Sequence, residues 1–200
     1  MAWPEDILIN WPGWCTRFDL AYRHEVSRDG WGMPSVADRG TPIWRGAWQT
    51  KPLRPHALSY WKARLNSVQG GAGTFYGYDM RKYPSAHSNG TGLPGSPKVG
   101  SISGDKSSLS LSSASGLHLN IGDHISIGNN LHRATSTSNN GSAFTVEPYL
   151  MLDVVTGNDV LLVNPRCIMR AIAESISGEA DITGWGTLTF EAYQDVQYSA

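Results

Sequence analysis

The sequence has 200 residues, a mass of 21.8 kDa and a formal net charge of −1. A charge so close to zero excludes a general attraction to nucleic acid or anionic membranes, and we expect no recognition of nucleic-acid sequence. The apolar fraction of 40% excludes wholesale disorder and fits one domain, or a small domain with a second one inserted into it.

Charged residues make up only 16% of the chain, whereas 8 Trp and 8 Tyr are present. Interface cores are rich in aromatic residues and poor in Lys and Glu, so this composition is typical of a surface that partners cover. A β-rich core that uses many aromatic residues would give the same composition. Composition alone leaves both interpretations open.

Residues 1–20 lack a basic start followed by an apolar run, and we expect no signal peptide there. No stretch approaches the roughly 18 apolar residues that a membrane span requires, so no span is expected. Cys15 and Cys167 are too few for a disulfide framework and are expected to be reduced thiols. The sequence therefore predicts a soluble protein made in a cytoplasm.

The first part of the chain predicts an arm, a strand and a loop. Residues 1–14 carry Trp3, Trp11 and Trp14 without a sustained period, which indicates an extended arm that packs on something. Residues 17–26 alternate apolar and polar side chains, as a half-buried antiparallel strand does. Residues 27–41 are rich in Gly, Asp and Pro and predict a long turn or exposed loop.

Residues 43–79 predict a strand, the one convincing helix and a second strand. Trp44, Gly46 and Trp48 fall on one side of an alternating run, which is the pattern of a strand. Residues 55–69 repeat apolar side chains at helical spacing, and Pro55 suits the first turn. The glycines at 70–73 follow this helix, so they predict a helix end and a turn rather than a phosphate-binding loop. Alternation resumes around residue 75.

The later chain predicts an inserted domain. Residues 84–99 consist largely of Pro, Gly, Ser and Asn and indicate a linker or exposed loop. Residues 98–163 contain short alternating runs separated by turns such as 122–123 and 140–141, typical of a small β-barrel or sandwich. Residues 167–172 and 186–193 again predict strands. We therefore expect a discontinuous first domain, residues 1–85 and 164–200, around an inserted domain at 86–163.

Few residues point to chemistry. No His pair has metal-binding spacing, and His118, Asp123 and His124 are better explained by a hairpin than by a metal site. No Gly-x-Ser-x-Gly elbow is present, and neither cysteine lies in a motif that would activate it. Paired carboxylates leave no fixed spacing, so a glycosidase pair stays open. The available carboxylates are Asp79, Asp105, Asp123, Glu147 and Asp153. The sequence predicts no catalytic, cofactor or metal site.

The sequence resembles the tail-tip proteins of long-tailed bacteriophages. In residues 43–79 the likeness rests on the order of Trp-x-Gly, a Pro-containing connection, the helix, Gly-x-Phe and a following Asp. Those residues are Trp44, Gly46, Trp61, Leu65, Gly73, Phe75 and Asp79. In the middle part the likeness rests on 117–127 around Gly122-Asp123, then on Gly141 and on Glu147-Pro148. Size and layout are most similar to the distal tail protein family.

This resemblance implies a mainly β fold. The first domain would be a tail-tube-like β-sandwich or split barrel with one flanking helix, and the inserted domain a small OB-like barrel or sandwich. The resemblance also implies a non-enzymatic structural protein of the virion baseplate, assembled in the host cytoplasm. It would form a homohexameric ring that joins the tail-tube protein to hub and fibre proteins.

Tryptophans are common hot spots of interfaces, so the expected subunit contacts are Trp3, Trp11, Trp14, Trp44 and Trp48. On this basis, deleting residues 1–14 should leave a folded subunit that no longer assembles. One alternative is a glycan-binding module that stacks sugars on Trp31, Tyr76, Tyr78 or Tyr83. Another is a tail-associated hydrolase that uses carboxylates such as Asp79 and Glu147.

Overall fold

The computed structural model describes residues 4–28, 30–151 and 153–196, and the chain in it is mainly β-structure with one α-helix, as expected from the sequence. The first elements are β1 (Gly13–Ala21), β2 (His24–Arg28), β3 (Pro34–Asp38), β4 (Ile43–Thr50), α1 (Pro55–Asn66) and β5 (Phe75–Gly77). The middle strands are β6 (Lys98–Ile102), β7 (Ser108–Ser112), β8 (His118–Leu119), β9 (His124–Ile127), β10 (Asn130–Ala134), β11 (Ser138–Asn139), β12 (Phe144–Glu147) and β13 (Val160–Leu161). The last are β14 (Cys167–Ala171), β15 (Ser177–Ala180) and β16 (Gly186–Gln194), and short 3-10 turns occupy Gln69–Gly71, Ser85–His87 and Ala173–Ser175.

The first sheet has the antiparallel order β1-β4-β16-β14-β5, and β15 also pairs with β16. Its inner face is built by strands that alternate as the sequence predicted, so Trp44 and Trp48 of β4 and Phe190 of β16 are buried. The rings of Trp48 and Phe190 stack with centroids 5.0 Å apart. Gly46 leaves room for this packing, because a Cβ there would lie 2.2 Å from the Trp48 ring.

Helix α1 covers the inner face with Leu58, Trp61 and Leu65. The sequence predicted it to continue to residue 69, but it ends at Asn66 and one 3-10 turn follows. Gly70 and Gly71 have φ values of 60° and 98°, which favour glycine and break the helical path. The predicted role of these glycines in ending the helix is confirmed.

The predicted arm is part of the subunit core. Ile7, Leu8 and Trp11 are buried in the same hydrophobic cluster as α1 and the inner face of the sheet. Glu5 forms a short parallel bridge with Phe75 of β5. The interpretation of residues 1–14 as an extended arm was therefore wrong for residues 5–11, because the apolar pair at 7–8 is too short to show a period. Residues 1–3 lie outside the described part.

The predicted strand at 17–26 is two strands. β1 ends at Ala21 and β2 begins at His24, so only the first half belongs to the sheet. β2 pairs instead with β3 in a separate two-stranded hairpin. The predicted loop at 27–41 therefore contains a strand. Alternation continued through the break because a free hairpin has the same two-residue period as a half-buried strand.

The second sheet has the order β13-β9-β10-β12-β7-β6 and nearly closes into a barrel. Its two edges approach each other where Lys98 bridges to Asp159, and the Val99 N–H donates to the Asn158 carbonyl at 2.9 Å. The barrel has its own hydrophobic cluster, formed only by residues between 99 and 162 among its buried members. This agrees with the small β-barrel that the sequence predicted for 98–163.

The two sheets meet in a polar and apolar junction. The Trp44 indole donates to the Leu131 carbonyl at 2.7 Å, and Leu131 packs in the cluster of the first sheet. The Ser126 hydroxyl donates to the Arg166 carbonyl at 2.6 Å. The preceding segment, 84–99, is also less exposed than predicted, since His87 is buried and accepts from the His118 N–H at 3.0 Å. The division at residues 85 and 164 stays a prediction.

Among the described residues, no helix combines the length and the apolar composition needed to cross a membrane.

Candidate assembly interface

The tryptophans expected at subunit contacts occupy different environments. Trp11, Trp44 and Trp48 are buried inside the subunit, where Trp11 packs edge-on against Trp61 with ring centroids 5.3 Å apart. Trp14, by contrast, is 48% exposed at the start of β1. Trp3 lies outside the described residues. The structure thus leaves only Trp14 of the four described tryptophans with a side chain open to another molecule.

The β2–β3 hairpin is the most exposed secondary structure among the described residues, since all ten of its strand residues are exposed. Its register sets His24 opposite Asp38, Val26 opposite Val36 and Arg28 opposite Pro34. These pairs alternate with Glu25–Ala37 and Ser27–Ser35, so Val26 and Val36 share one face and the two serines share the other. We call the first of these the valine face.

Apolar exposure continues to the tip of the hairpin, where Trp31 is 93% exposed. The base is fixed by the Arg39 N–H, which donates to the Arg23 carbonyl at 2.8 Å, and by an Arg39–Glu25 ion pair. Two-stranded hairpins are only marginally stable in water without a surface to pack on. An exposed hairpin with an apolar face is therefore typical of a segment that another molecule covers.

Strand β1 is an open edge of the first sheet. Among the described strands it pairs only with β4, and a register shift falls between Cys15 and Arg17. The other side of the sheet is covered: the Tyr76 N–H of β5 donates to the Glu5 carbonyl at 2.9 Å. There, too, Lys62 Nζ of α1 donates to the Gly178 carbonyl of β15 at 2.8 Å. Open edges of this length are sites for association.

A second exposed apolar group lies at the turn between β15 and β16. Ile182 and Trp185 are exposed there, and the Arg54 guanidinium lies 5.7 Å from the Trp185 ring centroid. Asp181 orders the turn by accepting from the Thr183 N–H at 2.8 Å and the Trp185 N–H at 3.1 Å. We call residues 182–185 the turn patch. Because β15 and β1 lie on opposite sides of β16 and β4, the turn patch and the β1 edge belong to opposite ends of the sheet.

The carboxylates considered for catalysis have structural partners. Asp123 is buried and accepts from the Ser85 and Asn120 N–H groups, each at 2.8 Å. Hydrogen bonds from Ser103 and Ser107 lower the pKa of Asp105 to about 2. Asp79 pairs with Arg81, and Glu147 pairs with Arg133 at 3.3 Å. Asp79 and Glu147 thus have separate cationic partners.

The aromatic residues considered for sugar stacking lie on separate elements. Trp31 is at the hairpin tip, whereas Tyr76 of β5 is covered by the Arg166 guanidinium, 4.0 Å from its ring centroid. Burial raises the pKa of Tyr78 to about 12. Lys82 Nζ lies 5.1 Å from the ring centroid of Tyr83. These four residues do not offer a common open platform.

The histidines and cysteines are buried without a metal-binding group around them. His124 packs edge-on against Trp44 with centroids 5.0 Å apart, and burial lowers its pKa to about 4. Burial raises the pKa of both Cys15 and Cys167, that of Cys15 to about 12. Across residues 4–28, 30–151 and 153–196, no three His, Cys, Asp or Glu side chains are grouped so as to hold a metal ion.

Sequence reasoning missed the valine face and the open edge. The alternation at 24–28 and again at 34–38 was present, but it was assigned to a half-buried strand and to a loop. A turn rich in Gly between two short alternating runs is a hairpin signal that could have found them. The sequence matches no family model and no curated protein.

Proposed function

We propose that the protein is a structural, non-enzymatic component of a phage tail tip. Copies of the chain would form a homo-oligomeric ring, a hexamer by analogy with distal tail proteins. The ring would join the tail-tube protein to hub and fibre proteins in the baseplate of the virion, after assembly in the host cytoplasm. In this proposal the first sheet with α1 is the tail-tube-like ring part, and the barrel is a peripheral OB-like domain.

The observation that carries the proposal is the polarity of the first sheet. The open β1 edge lies at one end of the sheet and the turn patch at the other. Two different patches at opposite ends are what a head-to-tail contact requires, and such contacts produce rings when the rotation between copies closes. The β1 edge offers Trp14 and Arg17, and the turn patch offers Ile182 and Trp185.

The hairpin supports the same role. It begins directly after β1, so its valine face is continuous in the chain with the proposed contact edge. Covering this face in a neighbouring copy would remove its apolar surface from water, at about 25 cal/mol per Å². The resemblance of the sequence to distal tail proteins supplies the identification with a phage tail, and the surface supports assembly.

The test is the mass and shape of the purified full-length chain. Light scattering coupled to gel filtration is expected to give a multiple of the 21.8 kDa subunit mass, and negative-stain microscopy a ring around a central hole. Trp14→Ala is expected to shift the protein toward monomer without a change in its circular dichroism spectrum. Tyr60→Ala is a matched control, since Tyr60 is exposed on α1, away from both contact regions. A monomeric wild-type protein at all concentrations overturns the proposal.

A further inference from the structure

The largest cleft among the described residues lies between the base of the β2–β3 hairpin and the outer surface of the barrel. Its volume is about 490 Å³, within the range of small-molecule sites. One wall comes from the hairpin base with Tyr22, His24 and Asp38. The floor and the other wall come from the barrel, with Thr145 and Glu147 of β12 and the following Tyr149. None of the proposed ring contacts uses these residues.

The floor of the cleft is polar and ordered. The hydroxyls of Thr135 and Thr145 are hydrogen-bonded to each other at 2.7 Å, and both residues are exposed to the cleft side of the barrel. The Glu147 carboxylate is fixed by Arg133 at 3.3 Å and by the Tyr22 hydroxyl. Hydroxyl and carboxylate groups held in this way can donate to and accept from the hydroxyls of a ligand.

The walls of the cleft are aromatic. Tyr149 is 62% exposed and Tyr22 is 53% exposed. Tyr22 is held at both ends, because its hydroxyl contacts Glu147 and its ring lies 5.5 Å from the His24 ring. An exposed ring that keeps a fixed orientation presents a flat apolar surface at low entropic cost.

The charge of the lining restricts the ligand. Asp38 and Glu147 are the acidic lining residues, and neither Lys nor Arg lines the cleft. Asp38 is partly engaged, since it accepts from the Gly40 N–H at 3.0 Å. Two carboxylates without a lining cation disfavour phosphate and carboxylate ligands by like-charge repulsion. The ligand must therefore be neutral or cationic, with an apolar face and several hydroxyls.

We infer that this cleft binds a neutral pyranose saccharide. The C–H face of the sugar would pack on Tyr149, with Tyr22 forming the opposite wall. The sugar hydroxyls would bond to Glu147, Asp38 and the threonine hydroxyls of the floor. This site is separate from the residues that the sequence suggested for sugar stacking, and it does not depend on the ring proposed above.

Saturation-transfer NMR on the full-length protein tests this inference with four neutral disaccharides: maltose, cellobiose, lactose and di-N-acetylchitobiose. At least one is expected to receive saturation on the protons of one ring face. Tyr149→Ala is expected to weaken its binding roughly tenfold, the scale of a lost aromatic contact. Asp38→Asn tests the hydroxyl contacts, and Tyr193→Ala is the control, an exposed tyrosine outside the cleft.

The outcomes separate clearly. Binding that Tyr149→Ala weakens and Tyr193→Ala leaves unchanged supports the site. Absence of saturation transfer to all four disaccharides overturns it, as does binding that Tyr149→Ala leaves unchanged. Glucose 6-phosphate serves as the anionic probe, and tighter binding of it than of the disaccharides also overturns the inference. Because Tyr149 is exposed, its substitution is expected to leave the thermal midpoint unchanged, which excludes loss of fold as the cause.

Discussion

Val26 and Val36 lie directly opposite each other on the β2–β3 hairpin, with exposed fractions of 61% and 59%. No other pair of directly opposed strand residues described here exposes two large aliphatic side chains to this extent. If a neighbouring copy covers this face, two charges placed there would have to be buried unpaired.

The double substitution Val26→Asp and Val36→Asp is therefore expected to abolish the oligomer and leave the subunit folded. The matched control is Ser27→Asp with Ser35→Asp, which places the same charges on the opposite face of the hairpin. Light scattering measures the mass of both variants. An oligomer that survives the valine substitutions would show that the valine face is not part of the contact.

Trp11 stabilises the subunit itself. Its ring packs edge-on against Trp61 at 5.3 Å and Phe190 at 5.5 Å, so Trp11→Ala is expected to lower the free energy of unfolding by about 3–5 kcal/mol. For the same reason, deletion of residues 1–14 is now expected to destabilise the fold instead of only blocking assembly. Urea unfolding measures the loss. Trp14→Ala, at a half-exposed position, is the control and should cost less than about 1 kcal/mol.

Acid is expected to destabilise the protein through two buried histidines. Burial lowers the pKa of His124 and of His132 to about 4, and the only printed bond of the His132 ring joins Nδ1 to the Pro148 carbonyl at 2.8 Å. Because the unfolded chain binds these protons near pH 6.5 and the folded chain does not, stability is full above pH 6.5. It then falls as the pH drops toward 4, by about 1.4 kcal/mol per pH unit for each histidine.

Urea unfolding between pH 7.5 and 4.5 measures this dependence. His132→Gln is expected to reduce the slope by about half, because one of the two groups no longer titrates. His56→Gln, on the outward side of the first turn of α1, provides the control. A wild-type stability that stays constant over this range contradicts the assignment.

The two thiols are expected to resist alkylation in the folded protein. Burial raises the pKa of Cys15 and Cys167, so the thiolate that reacts is scarce at pH 8. Iodoacetamide followed by mass spectrometry should show little modification of the native chain and two modifications in urea. Cys15→Ser assigns any residual native reactivity, since Cys15 is the less buried of the two. Rapid labelling of both native thiols would contradict this prediction.

The sequence predicted those elements that bury one side against the rest of the chain. β4, α1 and β16 have a clear period because Trp48, Leu65 and Phe190 must all face the same core. The hairpin was missed because its alternation reflects strand geometry without burial. The position of Trp11 was misjudged because a tryptophan count cannot tell a ring that packs inside its own subunit from one that packs on another. The cleft could not be predicted, since Tyr22 and Tyr149 are brought together only by the junction of the two sheets.

The covered side of the first sheet has a further consequence. Glu5 and Lys62 occupy backbone groups along β5 and β15, so an added strand finds a free ladder only at β1. Stacking through this sheet can then join one β1 to another and must stop at a pair. The subunit is thereby protected from runaway fibre growth by this route, even at the high concentrations at which many copies are synthesised together.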